Sequence, residues 1–225
     1  MKTGIIFDVD GTLWDSSPQV GESWSEVFSR YDDITEECGP EAIMRVMGKP
    51  MTEIARIFFP ELPEEKQLSY LKECEEYELE YLRVHPPVAF EGVKEVFERL
   101  SERYPLFVVS NCQSGYVELM LELCGLEEYV TDTECFGNNG KDKSENIRLI
   151  AERNHLTTYY YVGDIEADYR ATVLAGGAFI HAAYGFGEVA ADVPRIHAIR
   201  ELPELMEKLG EENGGDYEKQ ESGRE

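Results

Sequence analysis

Gly4-Ile5-Ile6-Phe7-Asp8-Val9-Asp10-Gly11-Thr12-Leu13 carries the pattern that decides the fold. Its first four residues form a near-continuous apolar run, the pattern of a strand covered on both faces. Two carboxylates follow at positions i and i+2, which share a face on an extended chain. They fall at the C-terminal end of the strand, where open α/β sheets place their ligands. Gly11 permits the tight turn that swings Asp10 over the same pocket. Two carboxylates about 4 Å apart repel by roughly 4 kcal/mol at an effective dielectric near 20. The pair must therefore share a proton or a cation.

Outward from this stretch, similar runs recur at Leu106-Phe107-Val108-Val109, Tyr159-Tyr160-Tyr161-Val162 and Ala178-Phe179-Ile180, with a weaker one over Tyr129–Cys135. Helical patterns lie between them at Gly92–Arg103, Ser114–Cys124, Ser144–Asn154 and Ile165–Ala175, the last stopped by Gly176-Gly177. This alternation predicts an α/β fold, a doubly wound (Rossmann-like) parallel sheet. The alternation breaks between the first two strands, where residues 15–86 carry only helical patterns. The clearest runs from Pro63 to Val84, with Leu68, Leu71, Cys74, Tyr77 and Tyr81 on one face. A crossover needs only about a dozen residues, so an inserted all-helical domain is expected at 15–86. Pro86-Pro87 marks its return to the sheet domain, formed by 1–14 and 87–209. The segment 210–225, rich in Glu, Gly and Lys, is expected to be a disordered acidic tail.

The chain has 225 residues, 42% of them apolar, enough to bury a sizeable core. With 21 Lys+Arg against 46 Asp+Glu its formal charge is −25. Such a surface repels nucleic acid and anionic membranes, so neither is an expected partner. The acidity is spread: residues 15–86 hold 17 acidic and 7 basic side chains. Bulky, highly charged anions should be disfavoured relative to small ones. No apolar run is long enough for a signal peptide or a membrane span. Five cysteines without a C-x-x-C pair argue against a disulfide framework or a structural zinc, and a cytoplasmic location is expected.

Three further groups bear on chemistry. Gly163-Asp164-Ile165-Glu166-Ala167-Asp168 places a second acidic pair directly after a strand. Together with Asp8 and Asp10 it supplies hard oxygen ligands suited to Mg²⁺. Ser110-Asn111 ends the second core strand, where a hydroxyl and backbone N–H groups can bind an anion. Lys141 and Lys143 precede the helix beginning at Ser144, and either could neutralise the acids and bind phosphate. Lys143 is favoured, since the helix begins directly after it.

This ordered set resembles the haloacid dehalogenase-like hydrolase superfamily, its helical-cap phosphoglycolate phosphatase-like branch, over nearly the whole chain to Leu209. The D-x-D-G-T run, the strand-end serine, the later lysine and the G-D-x-x-x-D run match the four family motifs in order. The resemblance implies that Asp8 is a nucleophile and Asp10 a general acid/base. It implies that Thr12, Ser110, Asn111 and Lys143 surround the phosphoryl group. Mg²⁺ would be held by Asp8, the Asp10 backbone carbonyl and Asp164, with Asp168 supporting. The implied activity is hydrolysis of a small phosphorylated metabolite through an aspartyl-phosphate. Two departures stand out: no proline follows either candidate lysine, and Ile165 occupies a position where Thr or Ser is frequent.

The inserted domain looks like the family's cap, and the resemblance implies that it discriminates substrates. Within Arg45-Val46-Met47-Gly48-Lys49-Pro50, Lys49 is the candidate substrate contact, and a solvated helix–helix turn is the competing reading. Tyr184-Gly185-Phe186-Gly187 either lines one wall or is a simple loop. The four histidines sit in no metal spacing. Two other functions remain open on sequence alone. One is a phosphomutase of the same fold acting on a sugar phosphate. The other is a phospho-accepting signalling module resembling a receiver domain, although such modules lack the insertion and the second aspartate. The motifs do not name a physiological substrate or an oligomeric state.

Overall fold

The structure, a computed structural model, describes residues 2–221, with side chains through Glu211. In chain order the strands are β1 (Thr3–Phe7), β2 (Trp14–Asp15), β3 (Val88–Ala89), β4 (Leu106–Ser110), β5 (Val130–Cys135), β6 (Thr158–Gly163), β7 (Ala178–Ala182) and β8 (Arg195–Ile196). The helices are α1 (Ser17–Phe28), α2 (Pro40–Met44), α3 (Met51–Phe58), α4 (Glu64–Val84), α5 (Val93–Ser101), α6 (Tyr116–Cys124), α7 (Phe136–Asn139), α8 (Lys143–Arg153), α9 (Glu166–Ala175) and α10 (Leu202–Glu221). Six strands form a parallel sheet in the order β5-β4-β1-β6-β7-β8. From the central β1 the chain builds outward first through β4 and β5, then through β6, β7 and β8. The order therefore reverses beside β1, which puts the ligand crevice at its carboxyl end.

The apolar runs explain both faces of this sheet. Ile5, Phe7, Leu106, Val108, Tyr160 and Val162 join one buried cluster, while Ile6, Phe107, Val109 and Tyr161 join another. Adjacent residues thus point to opposite faces, and both faces are covered. The first cluster continues without interruption into the helical insertion through Val20, Trp24, Ile54, Phe58 and Leu71. The second packs under α8 and α9 through Ile147, Ile150 and Ala175.

The insertion is helical, as its pattern predicts, but three details differ from the sequence reading. First, its ends are tied by a two-strand ribbon, β2 antiparallel to β3, too short to leave a periodic signal. Second, the buried stripe of α4 is Tyr70, Leu71, Cys74, Glu78 and Leu82, whereas Leu68 is exposed. Tyr77 and Tyr81 lie beside the stripe and donate their hydroxyls to Glu26 and Glu22 of α1. An acidic residue thus takes a core-facing position that hydrophobic periodicity assigns to its neighbours. Third, α10 does not stop at Leu209. It continues to Glu221 through a stretch containing the strong helix formers Glu, Lys and Gln. The remainder of the expected disordered tail, residues 222–225, lies outside the described residues.

Among the described residues no helix is long and apolar enough to cross a membrane. The five cysteines are all free thiols.

Candidate active site

Asp8 continues β1 by one hydrogen bond, its N–H donating to the Val162 carbonyl at 2.9 Å. The chain then curls tightly. Leu13 N–H donates to the Val9 carbonyl (2.8 Å) and Gly11 N–H to the Trp14 carbonyl (2.9 Å). Gly11 has φ +81°, and an added Cβ there would lie 2.2 Å from Asp164 Oδ2. Only glycine permits both the left-handed backbone and the approach of Asp164.

The curl gives the two carboxylates of the D-x-D run different surroundings. One oxygen of Asp10, Oδ1, accepts from Trp14 Nε1 (2.9 Å), Ser16 Oγ (2.6 Å) and Tyr116 Oη (2.7 Å). Asp8 Oδ1 instead receives the Lys143 ammonium at 2.9 Å. Lys143 Nζ also reaches Asp168 Oδ1 at 2.6 Å, and all three side chains are buried.

Lys143 arrives there because α8 begins at it, one residue earlier than Ser144. Asp142 is the N-cap: its carboxylate accepts from Glu145 N–H (2.9 Å), and its own N–H donates to Glu145 Oε2 (3.3 Å). This capping box fixes the first turn and aims Lys143 inward, over the Tyr161 ring at 5.7 Å. Lys141 stays exposed outside the cluster.

Asp164 and Asp168 follow β6. Asp168 Oδ2 accepts the N–H groups of Asp164 (3.2 Å) and Ile165 (3.3 Å), so its second oxygen closes the turn that holds Asp164. Asp164 Oδ2 accepts from Phe186 N–H at 2.7 Å, and His181 Nε2 lies 3.2 Å from its carbonyl. Tyr184 donates to the Thr12 carbonyl at 2.7 Å. The 184–187 loop is thus a clamp on Asp164 and on the turn after β1.

Oxygens of Asp8, Asp164 and Asp168 lie within 4.8 Å of one another. Burial, then Asp168, push the Asp8 carboxyl up to about 7, against the pull of Lys143. Burial, then Asp168 and Asp8, push Asp164 up to about 8. Burial also raises Asp10, opposed by Ser16, Tyr116 and Trp14. For Lys143 burial acts downward, but Asp168 and Asp8 outweigh it and hold the ammonium charged. Were all three buried carboxyls ionised against the one ammonium, the excess would be two negative charges, and this repulsion adds to burial in raising Asp8 and Asp164. That donor set, all hard oxygen, fits a small divalent cation. The Asp10 carboxylate turns away toward its three donors and is absent from the cluster.

The remaining candidates distribute as follows. Ser110 and Asn111 line the same pocket as Asp8 and Asp10. Asn111 Nδ2, however, is committed to the Gly48 carbonyl at 2.8 Å, tying the insertion to the sheet. Lys49 lines the pocket rim and pairs with Glu53 at 2.5 Å. Thr12 is fully buried, and its hydroxyl has no hydrogen-bond partner among the described residues. Sequence reasoning missed Trp14, Ser16 and Tyr116 around Asp10, and Glu78, Trp24 and Gln113 deeper in the pocket. Trp14 and Ser16 were available from spacing, four and six residues after Asp10. Tyr116 and Glu78 approach from distant elements and leave no local signal.

Solved structures share this architecture. A predicted phosphoglycolate phosphatase from Haemophilus somnus 129pt superposes with a TM-score of 0.75 at 20% identity, covering 91% of this chain and 98% of that one. A predicted phosphatase from Clostridium acetobutylicum gives 0.75 at 19% identity, covering 94% and 99%. CbbY from Rhodobacter sphaeroides, in complex with xylulose-1,5-bisphosphate, gives 0.74 at 17% identity, covering 90% and 96%. Among curated proteins no sequence matches. The family model for haloacid dehalogenase-like hydrolases matches residues 5–182, from the first strand to the end of β7, and the chain belongs to that family.

Proposed function

We propose that this hydrolase is a Mg²⁺-dependent phosphatase that cleaves a small phosphomonoester through an aspartyl-phosphate on Asp8. The observation that carries this reading is the division of labour between Asp8 and Asp10. One carboxylate sits in the cation cluster beside Lys143; the other is held off it by three donors yet faces the same pocket. An alcohol leaving group needs a proton, and a second, raised carboxyl supplies it. The names of similar structures, predicted phosphatases among them, agree with this chemistry.

Asp8 attacks phosphorus in line, and the bond to the leaving oxygen breaks as Asp10 delivers its proton there. Asp10 then accepts a proton from water, whose oxygen attacks phosphorus and releases Asp8 and inorganic phosphate. Lys143 offsets the charge of the approaching phosphoryl oxygens throughout. Asp8, Asp164 and the Asp10 backbone carbonyl would hold Mg²⁺, with Asp168 fixing Lys143 and the Asp164 turn. When bound, the ion neutralises the acids and screens phosphate from the nucleophile. Ser110 and the N–H groups after it bind the phosphoryl oxygens.

Residues 15–86 act as the cap over this site, joined to it by the Asn111–Gly48 bond. The test is phosphate release from small phosphoesters. It should require Mg²⁺, stop with EDTA and be lost in Asp8→Asn; activity surviving either treatment would contradict the reading.

A further inference from the structure

The pocket beyond Asp8 and Asp10 has an apolar wall made by Val20, Trp24, Ile43, Val46, Met51 and Ile54 of the insertion. Into it projects one acid that the reaction does not use. Glu78 of α4 is 3% exposed, with Trp24 Nε1 donating to Oε2 (2.6 Å) and Gln113 Nε2 donating to Oε1 (2.8 Å). A carboxylate oxygen accepts about two hydrogen bonds, and each of these has one from the protein. The two donors fix the rotamer and leave the remaining acceptor capacity available to an occupant of the pocket. A glutamine at 78 would keep one of these two acceptors and would need the Gln113 amide to turn over, whereas the acid accepts from both donors and brings a titratable group to the pocket wall.

The cationic side of the pocket is weak. Among the described residues lining it, Lys49 is the one base, and its ammonium is already paired with Glu53 at the rim. A substrate carboxylate reaching past the phosphoryl site would meet Glu78 and an apolar wall, with no free cation to receive it. A hydroxyl can donate to Glu78 whichever protonation state the acid holds, and an ammonium pairs with it as an ion.

Resting on the phosphatase reading, we propose that Glu78 is a specificity-determining residue that selects leaving groups presenting a hydrogen-bond donor, hydroxyl or ammonium, and rejects those ending in a carboxylate. The substrate class is accordingly a small polyol or amino-alcohol phosphate, and phosphoglycolate is a poor substrate.

Four two-carbon esters, assayed above pH 8 where Glu78 has given up the proton that burial favours, isolate the effect: ethyl phosphate, 2-hydroxyethyl phosphate, 2-aminoethyl phosphate and phosphoglycolate. The expected kcat/KM for the better donor-bearing ester exceeds that for phosphoglycolate by at least about tenfold, and also exceeds that for ethyl phosphate. Whether the amino or the hydroxyl ester leads identifies the donor. In Glu78→Gln the ratio of donor ester to phosphoglycolate should shrink to within about threefold, the discrimination having lost its charge. Each ratio is taken on one preparation, so any loss of folded protein cancels. Phosphoglycolate matching or exceeding both donor esters in the wild type, or an unchanged ratio in Glu78→Gln, overturns the proposal while leaving a phosphatase. No phosphate release from any ester, p-nitrophenyl phosphate included, overturns the phosphatase reading and the proposal with it.

Discussion

Two aspartates two residues apart differ here by their hydrogen bonds rather than by their identity. Lys143 and the acidic cluster claim Asp8, whereas Trp14, Ser16 and Tyr116 claim Asp10. If Asp10 is the proton donor, Asp10→Asn should lower kcat on alkyl phosphates by about 10²–10⁴-fold. The loss in the first half-reaction should be much smaller with p-nitrophenyl phosphate, whose leaving group departs without a proton. Burst kinetics with the two ester types would separate these effects, and an equal loss on both would remove Asp10 from the acid role. Asp8, Asp10 and Asp164 were legible in the sequence because each follows closely on a strand end, and Asp168 because it lies four residues after Asp164 on the first turn of α9. Lys143 was legible only as one of two lysines, and the Asp142–Glu145 capping box is what distinguishes it. Glu78 was not legible, because the spacing that predicts α4 favours apolar positions and reads past a buried acid.

At the scale of elements, the site depends on how closely three turns approach one another. The turn after β1, the turn after β6 and the 184–187 loop converge on Asp164. A Cβ on Gly185 would lie 2.3 Å from both the Asp164 Cβ and the Gly11 carbonyl oxygen. The Asp164 carboxylate cannot yield freely, since Phe186 N–H holds the very oxygen that Gly11 approaches. Gly11→Ala should therefore cost at least about 1 kcal/mol of stability and displace Asp164. Urea denaturation together with phosphate release checks both parts. A variant of normal stability and activity would show that the turns are looser than their geometry indicates. The order of strands and helices was readable from the alternating runs. The ribbon of β2 with β3 was not, because two-residue strands carry no periodicity.

The whole molecule carries a buried acid in its insertion, and its stability should register that. Burial pushes Glu78 up to about 8 from its ordinary 4.5, against the bonds from Gln113 and Trp24. The folded state then keeps a proton that the unfolded chain releases. The resulting stability is fully present below about pH 4.5 and is lost as the pH rises toward 8. The slope for a single such group is at most about 1.4 kcal/mol per pH unit. Denaturant titrations from pH 5 to 8 should show the wild type losing stability relative to Glu78→Gln across that window. Parallel curves would mean that Glu78 is ionised in the folded protein throughout. The overall charge of −25 pushes both proteins the same way and cancels in the comparison.

The proposed reaction stands or falls with a covalent phosphate on Asp8. The direct measurement is to quench Asp10→Asn during turnover of p-nitrophenyl phosphate, reduce with borohydride and map peptide masses. An acyl phosphate on Asp8 would be reduced to homoserine at that position, in an amount that rises with substrate and vanishes with EDTA. Sustained turnover with position 8 unreduced, or the label found on another carboxylate, would contradict the account.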